Sequence, residues 1–198
     1  MTLPDNDIRK WEYREHTRVK HILLQQYLKA WIPILGRYNS TICYFDGFAG
    51  RGEYLDDKGV LIAEGSPIIA LKEADAFSDS FKKFLCFIIE KDSDNFQNLT
   101  AVLDREKSSI KNWNKIEIIK QNDEFAAVID GIFKTLEQKQ STLVPSFFFI
   151  DPFGFSGVPF KVIQKILDNP KTEVFFTLMT RDINRFLEVD HAEKYLDE

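Results

Sequence analysis

Cysteine is almost missing: Cys43 and Cys86 are the only two in a chain of 198 residues. That excludes a disulfide-stapled scaffold. Both lie inside apolar runs, so two buried reduced thiols are expected, with a bridge between them as the alternative. No apolar stretch reaches the ~20 residues that a membrane-spanning helix requires. The opening MTLPDNDIRKWEYREH is polar and charged throughout, unlike a secretory leader, and a cytoplasmic protein without a membrane partner is expected. Positive charge is not in excess either. With 26 Lys and Arg against 31 Asp and Glu the net charge is −5, so nothing draws the whole molecule to nucleic acid, although a local basic patch stays open. The three histidines, His16, His21 and His191, have no metal-ligand spacing with the cysteines. Repeats, low-complexity tracts and linkers are absent, and the length suits one domain, residues 1–198.

What is abundant is phenylalanine, 18 residues, several in consecutive runs. Apolar segments at 41–45, 84–90, 115–121, 147–150 and 173–179 alternate with stretches of helical period. Residues 12–35 form a helical extension within 1–38, which Pro33 and Gly36 end. In the core, 39–198, Ser66 caps the helix that Pro67 opens, and further helices follow at 93–107, 124–138 and 158–170. LDDKGVLIAEG reads as an excursion or hairpin, and the residues after 179 as helical. Nearly continuous apolar strands between helices predict an α/β, Rossmann-like fold, a mostly parallel sheet covered on both faces. Such folds add a sixth and seventh strand, so this core reads as truncated or unusually short.

Ligands of these sheets bind outside the carboxyl ends of the strands. Four of the five strands end in acids or amides: Asp46, Glu90, Asn122-Asp123 and Asp151. After the first comes FDGFAGRGEY, whose Gly47, Gly50 and Gly52 mark backbone that bends sharply or is closely approached. A dinucleotide, a phosphate or an adenosyl group such as S-adenosylmethionine could sit there. The loop lacks the lysine and Ser/Thr of a P-loop. No helix opens directly after Gly52, and Glu53 would repel a pyrophosphate. Asp46 instead suits a ligand carrying an amino cation or sulfonium. Glu90 suits ribose hydroxyls and Asp123, beside Asn122, an adenine amine. The backbone of Gly47, Phe48, Ala49, Gly50 and Gly52 would complete the cofactor site. Each acid alone is as well explained as a solvated strand end.

YFDGFAGRGEY, the later GSP, FFFIDPFGFSG, the EVFFTLM strand with Arg181 and Arg185 beyond it, and the amino-terminal HTRVK and YLKAW together resemble the three-Cys-motif partner proteins (TcmP). These bacterial and phage proteins are of the class I S-adenosylmethionine-dependent methyltransferase type. The resemblance spans nearly the whole chain. It implies that fold, that cofactor, and a partner protein carrying three cysteines.

IDPFG stands where amino-directed methyltransferases carry Asp/Asn-Pro-Pro-aromatic. There the acid and backbone carbonyls hold a target amine toward the methyl group, and the aromatic stacks on a base. Asp151 and Pro152 match; Phe153-Gly154 departs, leaving stacking to Phe153 or Phe155. The plain alternative is a tight turn into the next helix. No cysteine follows a proline there, so a covalent cytosine mechanism lacks its nucleophile. His16 and Lys20, one helical turn apart, either edge the site or lie on a solvated face. Lys82, Lys83, Lys161, Lys165, Arg181 and Arg185 are candidate phosphate contacts. The sequence thus leads to a methyltransferase with catalytic candidates Asp151, Pro152 and Phe153, acting on an amino group of a nucleobase. A non-catalytic cofactor- or partner-binding module and a nucleotide-dependent oxidoreductase are the other readings.

Overall fold

A computed structural model describes residues 12–152 and 158–177. Strands β1 (Thr41–Asp46), β4 (Lys83–Ile89), β5 (Ile116–Gln121), β6 (Ser146–Ile150) and β7 (Thr172–Phe176) form one sheet, ordered β5-β4-β1-β6-β7. Every pairing within it is parallel. The expected hairpin is present as β2 (Glu53–Leu55) paired antiparallel with β3 (Leu61–Glu64).

Alternation along the strands feeds two cores. From β1, Ile42 and Tyr44 join one face, packed by α1 (Glu15–Tyr38), α2 (Ser66–Ala76) and α3 (Ser93–Glu106). Cys43 and Phe45 join the other, under α4 (Phe125–Gln138) and α5 (Phe160–Leu167). On that second face the phenylalanines stack across strands: Phe45 lies 4.1 Å from Phe148 and 4.6 Å from Phe87, centroid to centroid. Both cysteines are free and buried, on adjacent strands. Among the described residues no helix is long and apolar enough to cross a membrane.

Two boundaries differ from expectation. Helix α1 does not stop at Pro33 and Gly36 but passes both to Tyr38. Proline forfeits one backbone bond, yet Trp31, Ile32 and Gly36 continue the buried stripe, and packing outweighs the lost bond. Gly36 is needed for contact: a Cβ there would stand 2.8 Å from the Ser80 carbonyl oxygen. Ser66 does not cap α2; Gly65 holds that position and Ser66 is the first helical residue. Phe153, Phe155, Arg181, Arg185 and the helix expected after 179 lie outside the described residues.

Candidate functional site

From β1 the chain winds first toward β4 and β5, then returns to lay β6 and β7 on the other side. The reversal falls between β1 and β6, where a parallel sheet opens a crevice at its carboxyl edge. Asp46 ends one of these strands and Asp151 follows the other.

The glycine loop is pinned across this point. The Gly47 amide donates to the Phe149 carbonyl on β6, and the Ala49 amide to the Ile89 carbonyl on β4, both at 3.0 Å. Gly50 and Gly52 hold φ of +62° and +81°, the left-handed region that favours glycine. What closely approaches the loop is the protein itself. A Cβ on Gly47 would stand 2.8 Å from the Phe125 ring, and one on Gly65 2.8 Å from the Gly52 backbone. The Gly65 amide also donates to the Gly52 carbonyl at 2.8 Å, which brings the start of α2 against the loop.

Glu90 is fastened beside the loop. Its Oε2 accepts from the Gly50 amide and its Oε1 from the Asp92 amide, both at 2.8 Å. Each oxygen keeps a further lone pair, so a pair of hydroxyls can still be accepted. Asn122 does other work: its amide nitrogen donates to the carbonyls of Glu90 and Lys91, holding the turn after β4. Asp123 is exposed on the rim after β5, accepting from the Glu124 amide.

Asp46 is not on the surface of the crevice. It is fully enclosed, with Oδ2 accepting from the Tyr44 hydroxyl at 2.9 Å and Oδ1 without a hydrogen-bond partner among the described residues. Burial pushes its carboxyl up to about 7, against the opposing pull of Ser66, Tyr44 and the Phe48 amide. Glu53 also differs from expectation. Arg105 donates to it at 2.6 Å, so its charge is paired and does not stand guard against a pyrophosphate. The absence of a helix directly after Gly52 still holds, because β2 begins at Glu53.

Over the crevice lies the amino-terminal part of α1. Lys20 Nζ donates to both Asp151 oxygens at 2.7 and 2.6 Å, with both side chains largely sheltered. Its neighbour His21 is 6% exposed, and Nδ1 is buried without a partner among the described residues. Burial holds the imidazole neutral, its pKa lowered to about 4. His21, Asp151, Tyr54, Ser66, Phe149 and loop residues 48–53 enclose a cavity of about 30 Å³. The rings of Tyr13, His21 and Tyr54 cluster here with centroids 5.0–5.7 Å apart.

The structure thus gathers Asp151, Phe48, Ala49, Gly50 and Gly52 around one cavity, with Glu90 behind and Asp46 beneath. Pro152 is buried next to Asp151, while Asn122 and Asp123 stand apart on the β5 side. His16 is exposed. Lys82 and Lys83 lie at the amino end of β4, in a larger concavity of about 690 Å³ that runs along the edge strand β5, away from the crevice. Two of its lysines are ion-paired there, Lys83 with Glu117 and Lys115 with Asp79. Lys165 pairs with Asp130 on α4. Sequence reasoning passed over His21 and Tyr54. A signal existed for His21, a polar residue in register with the apolar stripe of Leu24, Leu28 and Trp31.

Compared with models of known protein families and with curated proteins, the chain matches none.

Proposed function

We propose that the protein is an S-adenosylmethionine-dependent methyltransferase of the three-Cys-motif partner type, acting on nucleic acid together with a partner protein that carries three cysteines. The observation that carries this reading is Glu90, locked onto the Gly50 amide at the crossover between β4 and the glycine loop. A carboxylate fixed there by backbone donors, with lone pairs to spare, suits two ribose hydroxyls, and the strand rather than helix that begins at Glu53 disfavours a pyrophosphate. Asp123 on the rim suits the adenine amine. The loop backbone at Phe48–Gly50 takes the methionyl part, beside the Tyr54 ring.

The cofactor supplies a methyl group already activated on sulfur, so the protein's share is orientation and exclusion of water. Asp151-Pro152 is where the acceptor enters. The sequence pattern there favours an amino group of a nucleobase.

Calorimetry is the first test. Micromolar binding of S-adenosylmethionine, with none of nicotinamide dinucleotides, is expected; the reverse overturns the reading. Transfer of a labelled methyl group to nucleic acid from a bacterial host tests catalysis, and binding without any transfer would leave a cofactor-binding module.

A further inference from the structure

An amine delivered to Asp151 meets a cation already bound there. Lys20 already sets an ammonium on both carboxylate oxygens, at 2.6 and 2.7 Å, in a sheltered pocket. Methylating an amine builds positive charge on nitrogen, and a fixed ammonium at the same carboxylate opposes that charge. Methylating a hydroxyl makes the opposite demand. The oxygen must lose a proton and become anionic, and a cation beside it lowers the barrier. Two of the three Lys20 N–H donors lie on Asp151, leaving one for such an oxygen.

A hydroxyl acceptor also needs somewhere to send its proton. His21 follows Lys20 on α1 and lines the cavity with Asp151, and its buried Nδ1 has no partner among the described residues. A buried nitrogen without a partner is costly, and a ligand hydroxyl would remove that penalty.

We infer, building on the methyltransferase reading, that the methyl acceptor is a hydroxyl group, that Lys20 stabilises it as an oxyanion, and that His21 Nδ1 takes its proton. Asp151 is then a positioning residue that holds Lys20. Within nucleic acid the internal hydroxyl is the ribose 2′-hydroxyl, so the substrate is RNA. In the step the O–H bond breaks toward His21, carrying its proton on Nε2 beforehand. The new O–C bond forms as the C–S bond of the donor breaks. Sulfur leaves as a neutral thioether, and the positive charge it held passes to the His21 imidazolium, which releases the proton to water.

The test uses the full chain with total RNA and DNA from a bacterial host and S-adenosylmethionine carrying a deuterated methyl group. Nucleosides are digested and read by mass spectrometry. Label on ribose oxygen of RNA supports the inference, provided Lys20→Met and His21→Asn each lower kcat at least 100-fold. Binding of S-adenosylhomocysteine, followed by calorimetry, should stay within threefold in both variants, which separates lost chemistry from lost fold. With its pKa lowered to about 4, His21 is neutral near pH 7, so wild-type kcat should be level there and fall only as pH drops toward 4, a fall that His21→Asn should lack. Label on a base nitrogen, or activity retained by Lys20→Met, overturns the inference and leaves the methyltransferase reading standing. Cofactor binding with label in neither nucleic acid overturns both.

Discussion

Lys20 and Asp151 are 131 positions apart in sequence and meet at 2.6 Å, tying the amino-terminal helix to the end of β6. A sheltered pair of this kind is costly to break on one side only, because the remaining charge stays desolvated. In a double-mutant cycle of Lys20→Met and Asp151→Asn, urea melts should show a coupling of about 1–3 kcal/mol, more than an exposed pair gives. Additive effects would mean that the two side chains do not depend on each other. On any acceptor that turns over, Asp151→Ala should cost ~10²-fold or more in kcat through lost orientation, with cofactor affinity almost unchanged.

Glu90 gives the cofactor prediction. Glu90→Ala should weaken S-adenosylmethionine binding by about 1–3 kcal/mol, the scale of charge-assisted hydrogen bonds to two hydroxyls. It also strips the Gly50 and Asp92 amides of their acceptor, so the thermal midpoint should fall as well. Calorimetry and a thermal scan on one sample measure both effects. Unchanged affinity would remove Glu90 from the cofactor site.

Two glycines should respond to alanine with opposite signs. Gly65 faces the Gly52 backbone, where a Cβ would stand 2.8 Å from the carbonyl carbon, and backbone cannot swing aside. Gly65→Ala should destabilise by about 1–3 kcal/mol, the range for overpacking. Gly131, inside α4, has nothing within 4 Å of an added Cβ. Gly131→Ala should stabilise by about 0.5–1 kcal/mol, through helix propensity and a less flexible unfolded chain. Urea melts of the two variants decide it.

Asp46 and His21 make opposing contributions to pH dependence. The folded state raises Asp46 to about 7, so its share of stability is present in acid and lost as pH rises toward that value. The folded state lowers His21 to about 4, so its share is present near neutrality and lost as pH falls toward 4. Between pH 4.5 and 6.5 the two slopes largely cancel. His21→Gln should leave the Asp46 slope exposed, with stability falling as pH rises. Asp46→Asn should leave the His21 slope, with stability rising as pH rises. Each difference should be at most about 3 kcal/mol. Denaturant melts at the two pH values check it, and parallel slopes in both variants would refute it.

The thiols of Cys43 and Cys86 are pushed up by burial, and both should resist alkylation in the folded protein. Titration under non-reducing conditions should find two free thiols after denaturation.

The sheet was legible because its strands are buried on both sides and read as unbroken apolar runs. FLCFII and SFFFI carry no other plausible structure. The glycine loop could be placed for the same reason, since it follows the first such run. The direction of Asp46 was legible in principle: residues 42, 44 and 46 of one strand share a face, so it turns inward with Tyr44. Its hydrogen bond to Tyr44 is that parity realised. The end of α1 was misread because proline and glycine are local signals, and the contact that overrides them, Gly36 on Ser80, is not local. Nothing in the local pattern could pair Lys20 with Asp151 or Arg105 with Glu53. Such pairs depend on how α1 and α3 lie across the finished sheet.

Where Gly65 meets Gly52 the loop is closed by main chain against main chain, with no side chain between them. Its curvature is therefore indifferent to the chemistry of what borders it. On the adenosyl reading, discrimination falls to the rim at Asp123, which can be exchanged without reshaping the seat, whereas Glu90 is bonded to the loop through the Gly50 amide. Redesigning ligand preference in this protein is a matter of editing that border and leaving the two glycines alone.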